Sequence, residues 1–190
     1  MQVLFDGNAS KIIQSEKVAL IDNDFPGLLY YDEDILKGTV GLFSEKRIYL
    51  HPFTEFEFLR DVFTSEVRAL KEKFVAQPIF GHISQESHMK VFPKLLENAL
   101  LLSKIFAHQA KKGNKNTSSF VDLILAGLLM FLKDKAILIM GNKKDFPSCV
   151  FDTLSVLNAE QEDGSMRAIC IMEFNRNKFD ACQKQLSKVQ

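Results

Sequence analysis

Apolar residues along this chain fall into short unbroken runs separated by longer stretches at helical spacing, and that alternation predicts an α/β protein. The runs 18-VALI-21, 47-RIYL-50 and 136-AILIM-140 have the length and aliphatic content of strands buried on both faces. Residues 167-RAICIMEF-174 alternate in part and predict another strand, and 149-CVFDTLSVL-157 predicts an edge element. Between them, acids precede Ile35, Val40, Leu42 and Phe43 in a helix over 32–46. In 51–74, Phe56, Leu59, Phe63, Val67, Leu70 and Phe74 recur at the period of one long amphipathic helix. Proline, glycine and serine make 77–88 a connection, and helix signals resume over 89–112, either starting at Pro93 or kinked by it. The polar insert 113-GNKNTSS-119 precedes a helix over 120–133, and a last helix spans 176–188. Strands alternating with helices predict a three-layer α/β fold with a central, mostly parallel sheet flanked by helices.

Length and composition narrow this picture. A chain of 190 residues with 46% hydrophobic content suits one well-buried domain over 1–190. Seventeen phenylalanines and no tryptophan indicate an aromatic core. Lysine plus arginine equals aspartate plus glutamate, 24 of each, so no global field draws in nucleic acid and any attraction is local. Cys149, Cys170 and Cys182 lack the spacing of a zinc site and read as reduced core thiols. The N-terminus has neither the basic start nor the apolar run of a signal peptide. The longest apolar run, 123-LILAGLLMFL-132, is about half what a bilayer crossing needs. Together these features predict a cytoplasmic protein.

The candidate chemistry lies where strands end. The stretch 137-ILIMGNKKDFPS-148 leaves a deeply apolar strand through a glycine and lays down Asn142, Lys143, Lys144 and Asp145. Asp22 closes an earlier strand, and in a parallel sheet ligands bind outside the carboxyl ends, so Asp22 and Asp145 belong at the same edge. A turn-forming role also suits Asp22, since 22-DNDFPG-27 is turn-rich. Asp122 is the single acid in an apolar helix, and Ser119 three residues earlier makes a capping pair equally natural. Glu55 and Glu57 flank Phe56, and periodicity does not choose between them. His51, His82, His88 and His108 lack metal-ligand spacing. The basic loop 111-KKGNKN-116, with Lys111, Lys112 and Lys115, is either a solvated loop or a phosphate-steering one.

In four blocks, taken in order over about residues 18–157, the chain resembles the PIN domain, the nuclease fold of RNA-cleaving toxins and RNA-processing enzymes. The block 18-VALIDND-24 is similar to the family's strand ending in aspartate. The block 51-HPFTEFEF-58 resembles its Ser-x-x-Thr-x-x-Glu-Leu pattern, with His51 at the serine, and on that alignment Glu57 is the site acid. The block 120-FVDLILAG-127 resembles the acidic helix start, and 137-ILIMGNKKDFP-147 the later strand and turn, with Met140 where threonine and Gly141 where arginine is common. Residues 158–190 extend beyond the compact members as an added strand and helix.

The resemblance implies a metal-dependent ribonuclease. Asp22, Glu57, Asp122 and Asp145 would hold Mg2+ or Mn2+, since all-oxygen ligation favours hard cations. Asn142 and Thr54 would orient water, phosphate or carboxylates, and Lys143, Lys144, Lys111 and Lys112 would steer phosphate. RNA is the implied substrate, with 5′-phosphate products. A PIN-like module with little catalysis, binding RNA or protein, is the competing expectation. A different, phosphate-transferring α/β enzyme is a third, although the chain has no Gly-rich phosphate loop. A protein inhibitor or antitoxin and a homodimer are the other partners the resemblance admits. The Phe-rich 53–74 stripe would be the dimer face, though its periodicity favours core.

Overall fold

The computed structural model describes residues 7–43, 47–60, 62–111, 118–141, 143–160 and 164–187. In chain order the elements are α1 (Gly7–Ile13), β1 (Val18–Ile21), α2 (Asp24–Tyr31), α3 (Glu33–Leu42), β2 (Ile48–Leu50), α4 (Pro52–Arg60), α5 (Ser65–Val75) and β3 (Phe80–His82). They continue as α6 (Gln85–Lys111), α7 (Phe120–Leu132), β4 (Ala136–Met140), β5 (Phe151–Glu160), β6 (Met166–Phe174) and α8 (Arg176–Leu186). The strands form one six-stranded sheet in the order β3-β2-β1-β4-β6-β5. From β3 to β4 neighbours run parallel, whereas β6 lies antiparallel to both β4 and β5. The fold is therefore α/β around a mixed, mostly parallel sheet.

Strand alternation sends side chains to two cores. Leu20, Leu138, Met140, Cys170 and Met172 face one of them, covered by Leu95 and Leu102 of α6, Leu125 and Leu129 of α7, and Phe179 of α8. Ala19, Ile21, Ile137, Ile139 and Ile171 face the other, covered by Ile13, Phe25, Ile35, Phe58 and Phe74 of α1 to α5. Helices on both faces bury strands that are apolar at every position, which is why β4 reads as a continuous run.

Four expectations change in detail. Residues 51–74 are not one helix: α4 stops at Arg60, and Thr64 caps a new start, its hydroxyl accepting from the Val67 N–H at 3.3 Å. The restart turns the apolar stripe, so Phe63 and Leu70, assigned to the core by periodicity, are exposed. The turn-rich 22-DNDFPG-27 enters α2 instead of a loop, because Pro26 falls in the first helical turn, where a missing N–H costs no helical bond. The connection 77–88 contains β3, whose three residues are too few to show a period. Pro93 lies inside α6, which begins earlier, at Gln85. Cys149, Cys170 and Cys182 are free thiols. No helix among the described residues is long and apolar enough to cross a membrane.

Helix α7 packs on α6 at backbone distance. A Cβ at Gly127 would lie 2.7 Å from the Leu95 carbonyl oxygen and 3.3 Å from the Ala99 nitrogen, and Asn98 Nδ2 donates to the Gly127 carbonyl at 3.1 Å. The obstruction is main chain and cannot rotate away. Gly127→Ala is expected to lower stability by about 2–3 kcal/mol, the scale of overpacking a tight core, read as a reduced urea midpoint at unchanged slope.

Candidate functional site

Three parallel strands deliver their carboxyl ends to one edge of the sheet. After β1 comes Asp22, whose N–H donates to the Ile139 carbonyl at 3.1 Å and so continues the ladder by one residue. By alternation Asp22 shares the face of Leu20, the face that α7 covers. After β2, α4 begins at once and carries Thr54 and, one turn on, Glu57. After β4 a short 3-10 turn over Lys143–Asp145 holds Asp145 buried. The Ser118 hydroxyl donates to the Asp145 carbonyl at 2.7 Å, which ties the start of α7, and with it Asp122, to that turn.

The electrostatics of these acids show that they share a field. Burial, and then the charge of Asp122, raises the Asp22 carboxyl from the ordinary 3.8 to about 7. Asp24 and Glu57 push the same way, against a hydrogen bond from the Asn23 N–H at 2.7 Å. Burial likewise raises Asp122 to about 6, with Asp145 and Glu57 adding to it and Ser119 opposing. Asp22, Asp122 and Asp145 are buried, and the Glu57 side chain is only 13% exposed, with Arg60 at 3.8 Å. Desolvated carboxylates facing one another disfavour the fully ionised state unless positive charge enters.

The structure forms the capping pair of Asp122 with Ser119. Its carboxylate accepts from the Ser119 N–H at 2.5 Å while its own N–H donates to the Ser119 hydroxyl, a complete capping box. That cap fixes the rotamer of an acid that also feels Asp145 and Glu57. The two glutamates, between which periodicity does not choose, part in the structure: Glu55 pairs with His82 Nδ1 at 3.0 Å, whereas the charge of Glu57 acts on Asp22 and Asp122. Thr54 is fully buried, and its hydroxyl has no hydrogen-bond partner among the described residues. His51 is buried beside His88, ring centroids 4.8 Å apart, and burial followed by His88 lowers it to about 4, so it is neutral near pH 7. Among the described residues no three His, Cys, Asp or Glu side chains are grouped so as to hold a metal ion as they stand.

Lys143 and Lys144 are exposed on the turn that ends in Asp145. Asn142, Lys112 and Lys115 lie outside the described residues, and Lys111 is the last residue of α6. Sequence reasoning missed a cleft of about 410 Å³ beside the acids, lined by Asp24, Tyr31, Glu57, Lys71 and Arg167 among others. Glu57 is common to the cleft and the acidic cluster. Asp24, two residues beyond Asp22, was open to notice as part of an Asp-x-Asp pair. Lys71 and Arg167 stand in no motif, and only the packing of α5 and β6 brings them there.

No protein-family profile, curated protein or solved structure matches this chain.

Proposed function

We propose that the chain is a PIN-like, metal-dependent ribonuclease whose acidic edge hydrolyses phosphodiester bonds of RNA. One observation carries the reading: acids from four separate segments of the sequence lie buried at one edge of the sheet and feel one another, burial first and then Asp122 raising the Asp22 carboxyl to about 7, and Asp145 and Glu57 adding to the raise at Asp122. Packing alone does not call for such an arrangement, because each ionised carboxylate there costs stability.

The donor set fits a hard divalent cation. It is all oxygen, and its mutual repulsion is what a cation would relieve; the unpartnered Thr54 hydroxyl, one turn before Glu57, is a further oxygen donor to the same edge. Asp22, Glu57, Asp122 and Asp145 would hold Mg2+ or Mn2+. Bound there, the ion would supply an activated water and stabilise the leaving oxygen. The capping box holds Asp122 in one orientation at the start of α7. Ser118 keeps Asp145 in register with it. Lys143 and Lys144 place exposed positive charge on the approach to Asp145.

Labelled single-stranded RNA incubated with Mn2+ is expected to be cut internally, leaving 5′-phosphates, and a chelator is expected to stop the cutting. Asp22→Asn should slow it by at least about 100-fold, the upper end of what losing an outer-sphere partner costs. Equal digestion by wild type and variant would identify a contaminant and sink the assignment. The completed cap of Asp122 and the absence of a ready-made metal group among the described residues favour one second reading, a weakly catalytic module that binds RNA or protein. RNA binding without Mn2+-dependent cutting would select it.

A further inference from the structure

The cleft next to the acids is walled by cations that the proposed chemistry does not use. Arg167 lies on β6 three residues beyond Cys170, the partner of Met140 at the end of β4, so the antiparallel return carries it past the carboxyl edge of the parallel strands. A Cβ at position 141 would stand 3.3 Å from Asp24 Cβ, 3.4 Å from Asp24 Oδ2 and 3.6 Å from Arg167 Nε, so the Asp24 carboxylate and the Arg167 guanidinium both lie beside Gly141. The Arg167 backbone pairs with Ala159 across the β5–β6 ladder, and no ion pair or hydrogen bond engages its guanidinium among the described residues.

On the opposite wall Lys71 is 6% exposed. Its ammonium donates to the Phe58 carbonyl at 2.8 Å and sits 4.5 Å from the centre of the Phe58 ring, with no carboxylate ion pair among the described residues. An ammonium has three donors, and a buried one without a counter-charge is costly. The acids facing the same space are Asp24 and Glu57. Tyr31 stands at the cleft 77% exposed, its ring set edge-on to Tyr30 at 5.0 Å.

We propose that this cleft seats the phosphate adjacent to the one being cut in single-stranded RNA, with Arg167 as its direct contact, Lys71 as fixed charge in the wall and Tyr31 as the platform for the neighbouring base. The inference rests on the ribonuclease reading for the identity of the strand. A guanidinium presents two parallel donors to a phosphate. A Tyr ring this exposed can take an unstacked base, which a duplex does not offer. Glu57 joins the two sites, so a strand held in the cleft runs directly to the acids.

The test is fluorescence anisotropy of labelled oligouridine on the full chain in excess chelator, over a range of salt, with a blunt RNA duplex and inorganic phosphate as competitors. Oligouridine should bind in preference to the duplex, and phosphate should compete weakly. Arg167→Ala should weaken binding about 10-fold and reduce the slope of log K against log salt by about 0.7, the contribution of one phosphate contact on a single strand. Tyr31→Ala should weaken it by about 10-fold at unchanged slope, because stacking releases no counterion. Arg167→Lys should retain the slope, and unchanged thermal midpoints would show each variant folded.

If Arg167→Ala and Tyr31→Ala leave both affinity and slope unaltered, or the duplex binds as tightly as the single strand, the cleft is not this subsite. The two proposals fail separately. Cutting that needs Asp22 but ignores Arg167 in affinity and KM overturns the subsite alone; binding that needs Arg167 in a chain that never cuts overturns the ribonuclease reading alone.

Discussion

At pH 8, with metal removed, Asp22→Asn is expected to stabilise the protein by about 2–4 kcal/mol; with Mn2+ present, the same variant is expected to lose at least about 100-fold in the proposed cutting of RNA. The folded-state pKa of Asp22 is about 7 against an ordinary 3.8, about three units, and each unit corresponds to about 1.4 kcal/mol. The sign follows from proton counting. Between pH 4 and 7 the folded chain holds a proton at Asp22 that the unfolded chain has released, so this group's contribution to stability is fully present below about 4 and is lost as pH rises to about 7. Asparagine keeps the oxygen that accepts from the Asn23 N–H and removes the charge. His51 has the opposite slope, because burial and His88 lower it to about 4 and stability falls as pH drops from 6.5. The wild-type profile therefore mixes both. The difference between variant and wild type isolates Asp22: urea unfolding in chelator should show about zero difference at pH 4 and the full gain at pH 8. A variant no more stable than wild type at pH 8 would mean that Asp22 is not desolvated among like charges.

Glu57→Gln and Glu55→Gln should part company by two orders of magnitude. Two residues separate them in sequence and α4 separates them in space: Glu57 faces Asp22 and Asp122, and Glu55 pairs with His82. Removing a carboxylate from the shared field should cost about 100-fold or more in Mn2+-dependent cutting. Losing a surface pair with histidine should leave activity within about 3-fold, equivalent to roughly 0.5 kcal/mol. Rates for both variants on the same labelled RNA decide the matter, and equal losses would remove the geometric distinction on which the site is drawn.

The elements that were legible in the sequence are those whose burial is uniform. β1 and β4 are apolar throughout and α7 is apolar but for Asp122, because neighbouring elements cover most of their faces, and periodicity or its absence reports that directly. What escaped notice was decided by single residues or by distance. One threonine at 64 divides a stripe that reads as continuous, and a proline in a first turn makes the start of α2 look like a loop. For the acids, the end of a parallel strand is a positional signal that a sequence carries, which is how Asp22 and Asp145 came to be paired with one edge. The choice of Glu57 over Glu55 came from family likeness, because both flank the same phenylalanine. Arg167 and Lys71 carried no signal. They are 96 residues apart, the difference between their positions, and come to line one cleft only through the tertiary fold.

The sheet order has a consequence for synthesis. Strand β4 lies between β1 and β6, so the half made first, β3-β2-β1, joins the half made last only through it. Asp145 follows β4 directly, and Asp122 belongs to the helix that leads into it. A nascent chain carries Asp22 and Glu57 long before their companions leave the ribosome. On the proposed reading, the acidic edge would be assembled, and the messenger beside the nascent chain exposed to it, only after that middle strand has joined the sheet.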